Sequence, residues 1–256
     1  MKEFCFTVDD NIWFLRDLTR GTYGSIFDHP YLATYKRLHE IYGVKVQLNL
    51  FFWTEGFALS EMTDKYRKEW EDNADWLKLS FHSLKETKVT YANSSYQETY
   101  SEVSAVHRSI ERFAGEKTLA KTTTVHFCLG SEGAVKALRD CGMRGLLGLF
   151  GTQEDPCTSY CLDEDLAKIV RAGGVAYRDG MAFAPIDVIL NLYSPEENIR
   201  RLEQLKDREK VHIMIHEQYF YPYYCAYQPN FAEKIESAVA YLLKQGYQSK
   251  FFEEML

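Results

Sequence analysis

The feature that most restricts this chain is a repeated order of segments: a short apolar run, then a stretch with apolar residues at helical spacing, then another apolar run. Strands are expected at 4–8, 44–52, 76–81, 123–127, 145–150, 211–216 and 247–252, and helices at 31–42, 60–73, 96–113, 131–141, 195–208 and 230–245. Several boundaries carry their own signals. Gly43 stands where a helix C-terminal glycine belongs, and Ser194-Pro195 supplies a cap followed by proline at the first helical position. Asp179-Gly180 marks a hairpin turn inside 175–192. Seven or eight strand-then-helix units of about 25 to 40 residues predict an α/β fold, a distorted TIM-like (β/α) barrel with about seven parallel strands. The competing architecture is an open doubly wound sheet, but no G-x-G-x-x-G follows the first strand.

Composition limits the setting in which this barrel works. No repeat, low-complexity segment or linker divides the 256 residues, so 1–256 reads as one domain. The formal charge of −7 comes with scattered basic residues, which excludes the footprint of a nucleic-acid binder. No stretch approaches about 18 consecutive apolar residues and none near the start has signal-peptide character, so the expected location is cytoplasmic, without a transmembrane segment. In that setting the six cysteines read as mostly reduced, buried thiols, and Cys157-x3-Cys161 lacks the second pair that a zinc knuckle needs. No oligomeric state is indicated.

In a parallel barrel the residues past the C-terminal strand ends converge on one face. Here those ends carry Asp9-Asp10, His82-Ser83, His126 and His216-Glu217. Two adjacent acids after an apolar strand need a partner, either the start of a helix over 11–18 or a cation that offsets their repulsion. His82 and Glu86 stand four apart, so one helical turn would set both on one face, and imidazole with carboxylate suits a divalent ion; a solvated loop explains the same spacing. Asp187 reads as a buried acid or a turn carboxylate, and Trp53 is a site candidate by position alone. In the aromatic run after His216, Tyr219 and Tyr221 are candidates for sugar-facing platforms, packing being the alternative.

Taken together, these residues resemble the metal-dependent polysaccharide deacetylases. That family carries Thr-Phe-Asp-Asp, His-Ser/Thr-x-x-His, Arg-x-Pro ending in Gly, and a late Leu-x-His. The corresponding stretches here are Phe6-Thr7-Val8-Asp9-Asp10, His82-Ser83-Leu84-Lys85-Glu86, His126-Phe127-Cys128-Leu129-Gly130 and Ile213-Met214-Ile215-His216, in the same order over roughly residues 4 to 220. The resemblance implies a distorted (β/α) barrel that hydrolyses a C–N bond other than a peptide bond. It implies Asp9 as general base, Asp10 and His82 as metal ligands and His216 as general acid. Glu86 replaces the second metal histidine and is expected to ligate; His126 replaces the arginine that orients the base and either bonds Asp9 or approaches the metal. The cofactor implied is one divalent ion, zinc first, with cobalt, nickel, manganese or magnesium as alternatives, and the substrate a small sugar or glycan precursor bearing an N-acyl or O-acyl group. A barrel that keeps binding and has lost hydrolysis, serving glycan biosynthesis as an accessory protein, is the other reading of the same substitutions.

Overall fold

The computed structural model describes residues 1–88, 90–150 and 159–256. The elements run β1 (Glu3–Asn11), α1 (Trp13–Arg20), α2 (Pro30–Tyr42), β2 (Val46–Thr54), β3 (Phe57–Ala58), α3 (Arg67–Asp72), β4 (Leu77–Lys85), α4 (Tyr96–Phe113), β5 (Thr122–Thr123) and α5 (Glu132–Asp140). They continue with β6 (Gly145–Gly148), α6 (Glu164–Arg171), β7 (Ala176–Arg178), β8 (Met181–Pro185), β9 (Val188–Ile189), α7 (Pro195–Gln204), β10 (Lys210–His216), α8 (Phe231–Lys244) and β11 (Gln248–Ser249).

The strands form two sheets. One runs β3-β2-β1-β10-β9, with β4 beside β2 and β11 beside β1; the other runs β5-β6-β8-β7. All pairings are parallel except β2 with β3 and the β7–β8 hairpin. Among the described residues the ladders therefore do not close into a cylinder. Side chains and single backbone bonds bridge the gaps instead. Between β4 and β5, Ser80 Oγ donates to the Thr122 carbonyl at 2.8 Å, His82 Nδ1 to that of Thr124 at 2.6 Å, and Thr123 Oγ1 to that of Phe81. Between the end of β8 and β10, His212 Nδ1 donates to the Pro185 carbonyl at 2.7 Å and Asp187 N to the His212 carbonyl at 2.9 Å.

Strand periodicity divides the core in two. Phe4, Phe6 and Val8 of β1 face the surrounding helices and join the large cluster that contains Leu32, Tyr35, Ile235 and Val239. The alternate residue Cys5 instead joins Met214, Ala182, Ala184 and Leu147 in a second cluster between the sheets. Most expected elements form, and α4 spans 96–113 as predicted, opened by Ser95 accepting a bond from Glu98 N. The Asp179-Gly180 turn forms with both residues at positive φ, 52° and 77°, as a two-residue hairpin requires.

Four expectations are corrected. The helix expected at 60–73 shrinks to α3 with a 3-10 turn at Leu59–Glu61, because that stretch was marked by charge rather than by apolar periodicity. The strand expected at 123–127 is cut to two residues, and His126–Cys128 is a 3-10 turn with Phe127 and Cys128 at left-handed φ of 57° and 58°. At 247–252 only β11 pairs, and Phe252–Glu254 is a 3-10 turn. Cys161 and Cys225 are exposed and Cys141 is half-buried, whereas Cys5 and Cys128 are buried; Cys157 lies outside the described residues. Among the described residues, no helix is long and apolar enough to cross a membrane.

Candidate metal centre

Each polar side chain of the centre sits at a break in regular strand geometry. In β1 the register to β2 shifts between Val8 and Asn11, and Asp10 takes a left-handed φ of 65°. Regular alternation would send adjacent residues to opposite faces; the bulge lets Asp9 and Asp10 enter the same cavity. The β2–β4 register also shifts, Leu50 opposing Phe81 and Phe51 opposing Ser83, so His82 is the extra residue. His126 precedes the two left-handed residues of its turn, and His216 ends β10 directly opposite Asp9. Asp9, Asp10, His82, His126 and His216 together line a cavity of about 180 Å³, walled on the other side by Val125, Leu149, Ile189 and Met214.

Asp10, His82 and His126 each bring one candidate ligand atom within 4.8 Å of the others. Asp10 Oδ1 lies 3.0 Å from His82 Nε2 and 3.7 Å from His126 Nε2. Both imidazoles are held from behind. His82 Nδ1 donates to the Thr124 carbonyl at 2.6 Å and His126 Nδ1 to the Lys88 carbonyl at 2.9 Å, so both present Nε2 to Asp10. Such a carbonyl behind each ring is what fixes the tautomer of a metal-ligating histidine. The buried Asp10 Oδ1 and His82 Nε2 form no hydrogen bond of acceptable geometry despite their closeness. A shared proton would join two of these atoms, whereas a cation joins all three, and the Asp-His-His donor set suits a zinc-class ion.

The two acids are driven apart electrostatically. Burial raises the Asp9 carboxyl above the usual range, against the lowering influence of His82, His216 and a bond from Asn49. Asp10 is also pushed upward by burial, but the imidazoles of His82, His216 and His126 prevail and bring it down to about 2. For His82 burial lowers the pKa, yet Asp9 and Asp10 outweigh it and raise it; for His126 burial and the neighbouring His82 lower it. The same surroundings thus shift two adjacent carboxyls in opposite directions.

Two positioning side chains were not anticipated from the sequence. Asn49 Nδ2 donates to Asp9 Oδ1 at 2.7 Å, and Asn49 is itself bonded by Gln47 Nε2 at 2.8 Å. Asn191 Oδ1 accepts from His216 Nδ1 at 2.8 Å, which leaves His216 Nε2 as the atom able to exchange a proton. Asn49 had a readable signal, since Gln47 and Asn49 are polar at alternate, buried positions of an otherwise apolar strand. Asn191 had none, as it sits in a 3-10 turn beyond a two-residue strand.

Other expected residues lie elsewhere. The helical turn that was to place Glu86 beside His82 does not form, because β4 continues to Lys85 and Glu86 falls in the following turn. Glu86 is solvent-exposed, its carboxyl raised by partial desolvation and by the charge of Asp10, and it lies outside the three-ligand group. Tyr221 is buried and donates to Glu217 Oε1 at 3.0 Å, which excludes it as a sugar-facing platform. Tyr219 has its ring 6.1 Å from that of His216. Glu217, next to His216 in the chain, turns away from it and accepts from the backbone N–H groups of Ile12, Trp13 and Phe14 at 2.6–2.9 Å, at the start of α1. Asp187 is the buried acid of the two alternatives, bonded by Arg208 and by His212 N at 2.9 Å, and Trp53 is 43% exposed.

No protein-family model and no curated protein matches the chain. Solved structures do. A family 4 acetyl xylan esterase from Clostridium thermocellum, in complex with a cobalt ion, aligns over 99% of this chain and 90% of its own, with a TM-score of 0.56 at 13% identity. A polysaccharide deacetylase structure from Mycobacterium smegmatis covers 99% and 89%, with a TM-score of 0.60 at 11% identity. A 4-alpha-glucanotransferase from Thermococcus litoralis also aligns with 99% of this chain, over 40% of its own length, with a TM-score of 0.60 at 12% identity. At these identities the likeness is one of fold. The architecture is that of the polysaccharide deacetylases, and it carries a possible Asp-His-His metal site.

Proposed function

We propose that this protein is a metal-dependent hydrolase that removes an N-acyl or O-acyl group from a sugar or glycan. The observation that carries the reading is the paired constraint on His82 and His126, whose Nδ1 atoms are fixed to backbone carbonyls while both Nε2 atoms meet Asp10 Oδ1. Asp10, His82 and His126 would hold the ion, zinc or a similar divalent cation. When bound, such an ion acidifies water and polarises an acyl carbonyl.

The remaining groups handle protons. Asp9, kept dry and held by Asn49, is the general base that takes the proton of the attacking water. His216, oriented by Asn191, is the general acid that delivers a proton from Nε2 to the departing nitrogen or oxygen. The register supports this division, because Asp9 and His216 are direct partners on adjacent strands and flank the cavity together. His126 fills the place in the ligand set that the family resemblance assigned to residue 86, and Asn49 takes over the orienting of the base. Tyr219, beside His216, is the candidate to contact the sugar.

The test is turnover of a panel of N-acetyl and O-acetyl sugars by metal-loaded protein, with Asp9→Asn as control. Release of acetate that disappears in the variant while metal content persists supports the reading. A metal-loaded protein that hydrolyses none of the panel contradicts it.

A further inference from the structure

Behind the centre, a group of bonded side chains ties α4 to both histidine-bearing segments. Glu102 of α4 pairs with Lys88, in the irregular stretch after β4, and their side chains are only 11% and 13% exposed. Both carboxylate oxygens accept from Lys88 Nζ at 2.9 Å, and Oε2 also accepts from the hydroxyl of the buried Tyr91 at 2.6 Å. The Lys88 ammonium lies 4.1 Å from the centroid of the Tyr91 ring, a cation–π contact, and makes one further bond to the exposed Glu98 at 2.8 Å.

The two residues that Glu102 holds are the ones that meet the histidine segments. The Lys88 carbonyl accepts from His126 Nδ1 at 2.9 Å. The Tyr91 hydroxyl accepts from Leu84 N at 3.0 Å and lies 3.2 Å from Ser83 Oγ, on the residues that directly follow His82. The Tyr91 backbone closes the far side of the His126 turn, donating to the Leu129 carbonyl at 3.0 Å and accepting from Ser131 N at 2.9 Å. A stretch outside any helix or long ladder has few bonds of its own to fix where its carbonyls point, so a side-chain anchor decides it. This anchor is charge-assisted and largely withdrawn from water, which strengthens it and limits its screening by salt.

We propose that Glu102 is a positioning residue of the centre: by anchoring Lys88 and Tyr91 it aims the Nε2 atoms of His126 and His82 at the metal. It acts through those two residues and touches neither metal nor substrate. The proposal rests on the metal-centre reading.

The experiment measures the zinc dissociation constant of the full chain by competition with a chromogenic chelator, together with nitrogen–proton NMR correlations of the histidine rings in the metal-free state. Glu102→Ala should weaken zinc binding about tenfold, the lower end of the range for residues that support metal ligands, and should shift the His126 ring away from the form protonated at Nδ1. Glu102→Gln keeps the side-chain size but offers one acceptor oxygen to two partners, so it should show the same changes to a smaller extent; it carries the test if Glu102→Ala does not fold. Val103→Ala, a fully buried neighbour on α4 outside these bonds, is the control that lowers stability and leaves zinc affinity and ring form unchanged. Unchanged zinc affinity and ring form in the Glu102 variants overturn the proposal and leave the metal centre standing, and equal weakening by Val103→Ala overturns it as well. An unsubstituted protein that binds no zinc, but whose His126 ring still changes form when Glu102 is replaced, upholds the positioning role and sinks the metal-dependent reading alone.

Discussion

The sheet containing β1, β2, β4 and β10 and the sheet containing β5, β6 and β8 contribute unequally to the centre. In the first, β1, β2 and β4 have nine residues each and β10 has seven; in the second the parallel strands have two, four and five. The long strands carry Asp9, Asp10, His82 and His216, with Asn49 bonded to Asp9. The short sheet and its turns supply His126 and the Thr124 carbonyl that fixes His82. The centre thus spans the seam between the sheets. A long ladder holds Asp9 and His216, the proposed proton-transfer groups, at a set spacing, while His126, the proposed third ligand, reaches the cavity from a turn with two consecutive left-handed residues. Unpaired backbone at that seam is what gives the imidazoles carbonyls to bond.

The largest expected effect tests the long side. Asp9→Asn and His216→Ala should each lower turnover by about 10²–10⁴-fold, the range for a lost general base or acid, with metal content unchanged. Loss of metal in either variant would show that the two sheets do not divide ligand and proton duties in this way. A second prediction sharpens the contrast in stability. Leu50→Ala, a fully buried β2 residue, is expected to cost ~2–5 kcal/mol in denaturant unfolding. Amide exchange should then be slower across β1, β2 and β10 than across β5 and β6, and equal protection in the two sheets would remove the distinction.

The smallest effect concerns pH. His107 on α4 is buried with Nε2 unpaired, and burial lowers its pKa to about 4. The unfolded chain takes up this proton near pH 6.5 and the folded chain only near 4, so folding loses stability as pH falls through that window. The loss is on the order of 3 kcal/mol by the usual conversion. His107→Gln should therefore flatten the acid side of the stability profile relative to the unsubstituted protein. The carboxyl of Glu217, raised to about 7 by burial, acts in the opposite direction in both proteins, which makes the difference between their profiles the informative quantity.

The long sheet was the more legible region. Its strands are long and mostly apolar, and acids or imidazoles at their ends stand out against them, so Asp9, Asp10, His82 and His216 are readable from the sequence as candidates, and the structure brings them to one cavity. The short sheet was harder to read because two-residue strands have no periodicity, and β5 was drawn too far, to residue 127. Glu86 is read as the third ligand from the family resemblance and from a four-residue spacing that gives a shared face only on a helix, with His126 left either to bond Asp9 or to approach the metal. Once β4 runs through His82 to Lys85 that inference lapses, and of the two options open to His126 the turn at 126–128 brings its Nε2 towards Asp10. Tyr221 was misjudged for a related reason: a buried Glu217 that holds the start of α1 draws the tyrosine hydroxyl inward, a long-range bond invisible in an aromatic run.

The central claim is that the metal is held by Asp10, His82 and His126 across the seam. Its most direct test is elemental mass spectrometry of unsubstituted protein, His126→Ala and Glu86→Ala, each purified without chelator and reloaded with zinc. The account predicts about one ion per chain in the unsubstituted protein and in Glu86→Ala, and its loss in His126→Ala. Retention of the ion by His126→Ala together with its loss from Glu86→Ala would contradict the account and return the third ligand to residue 86.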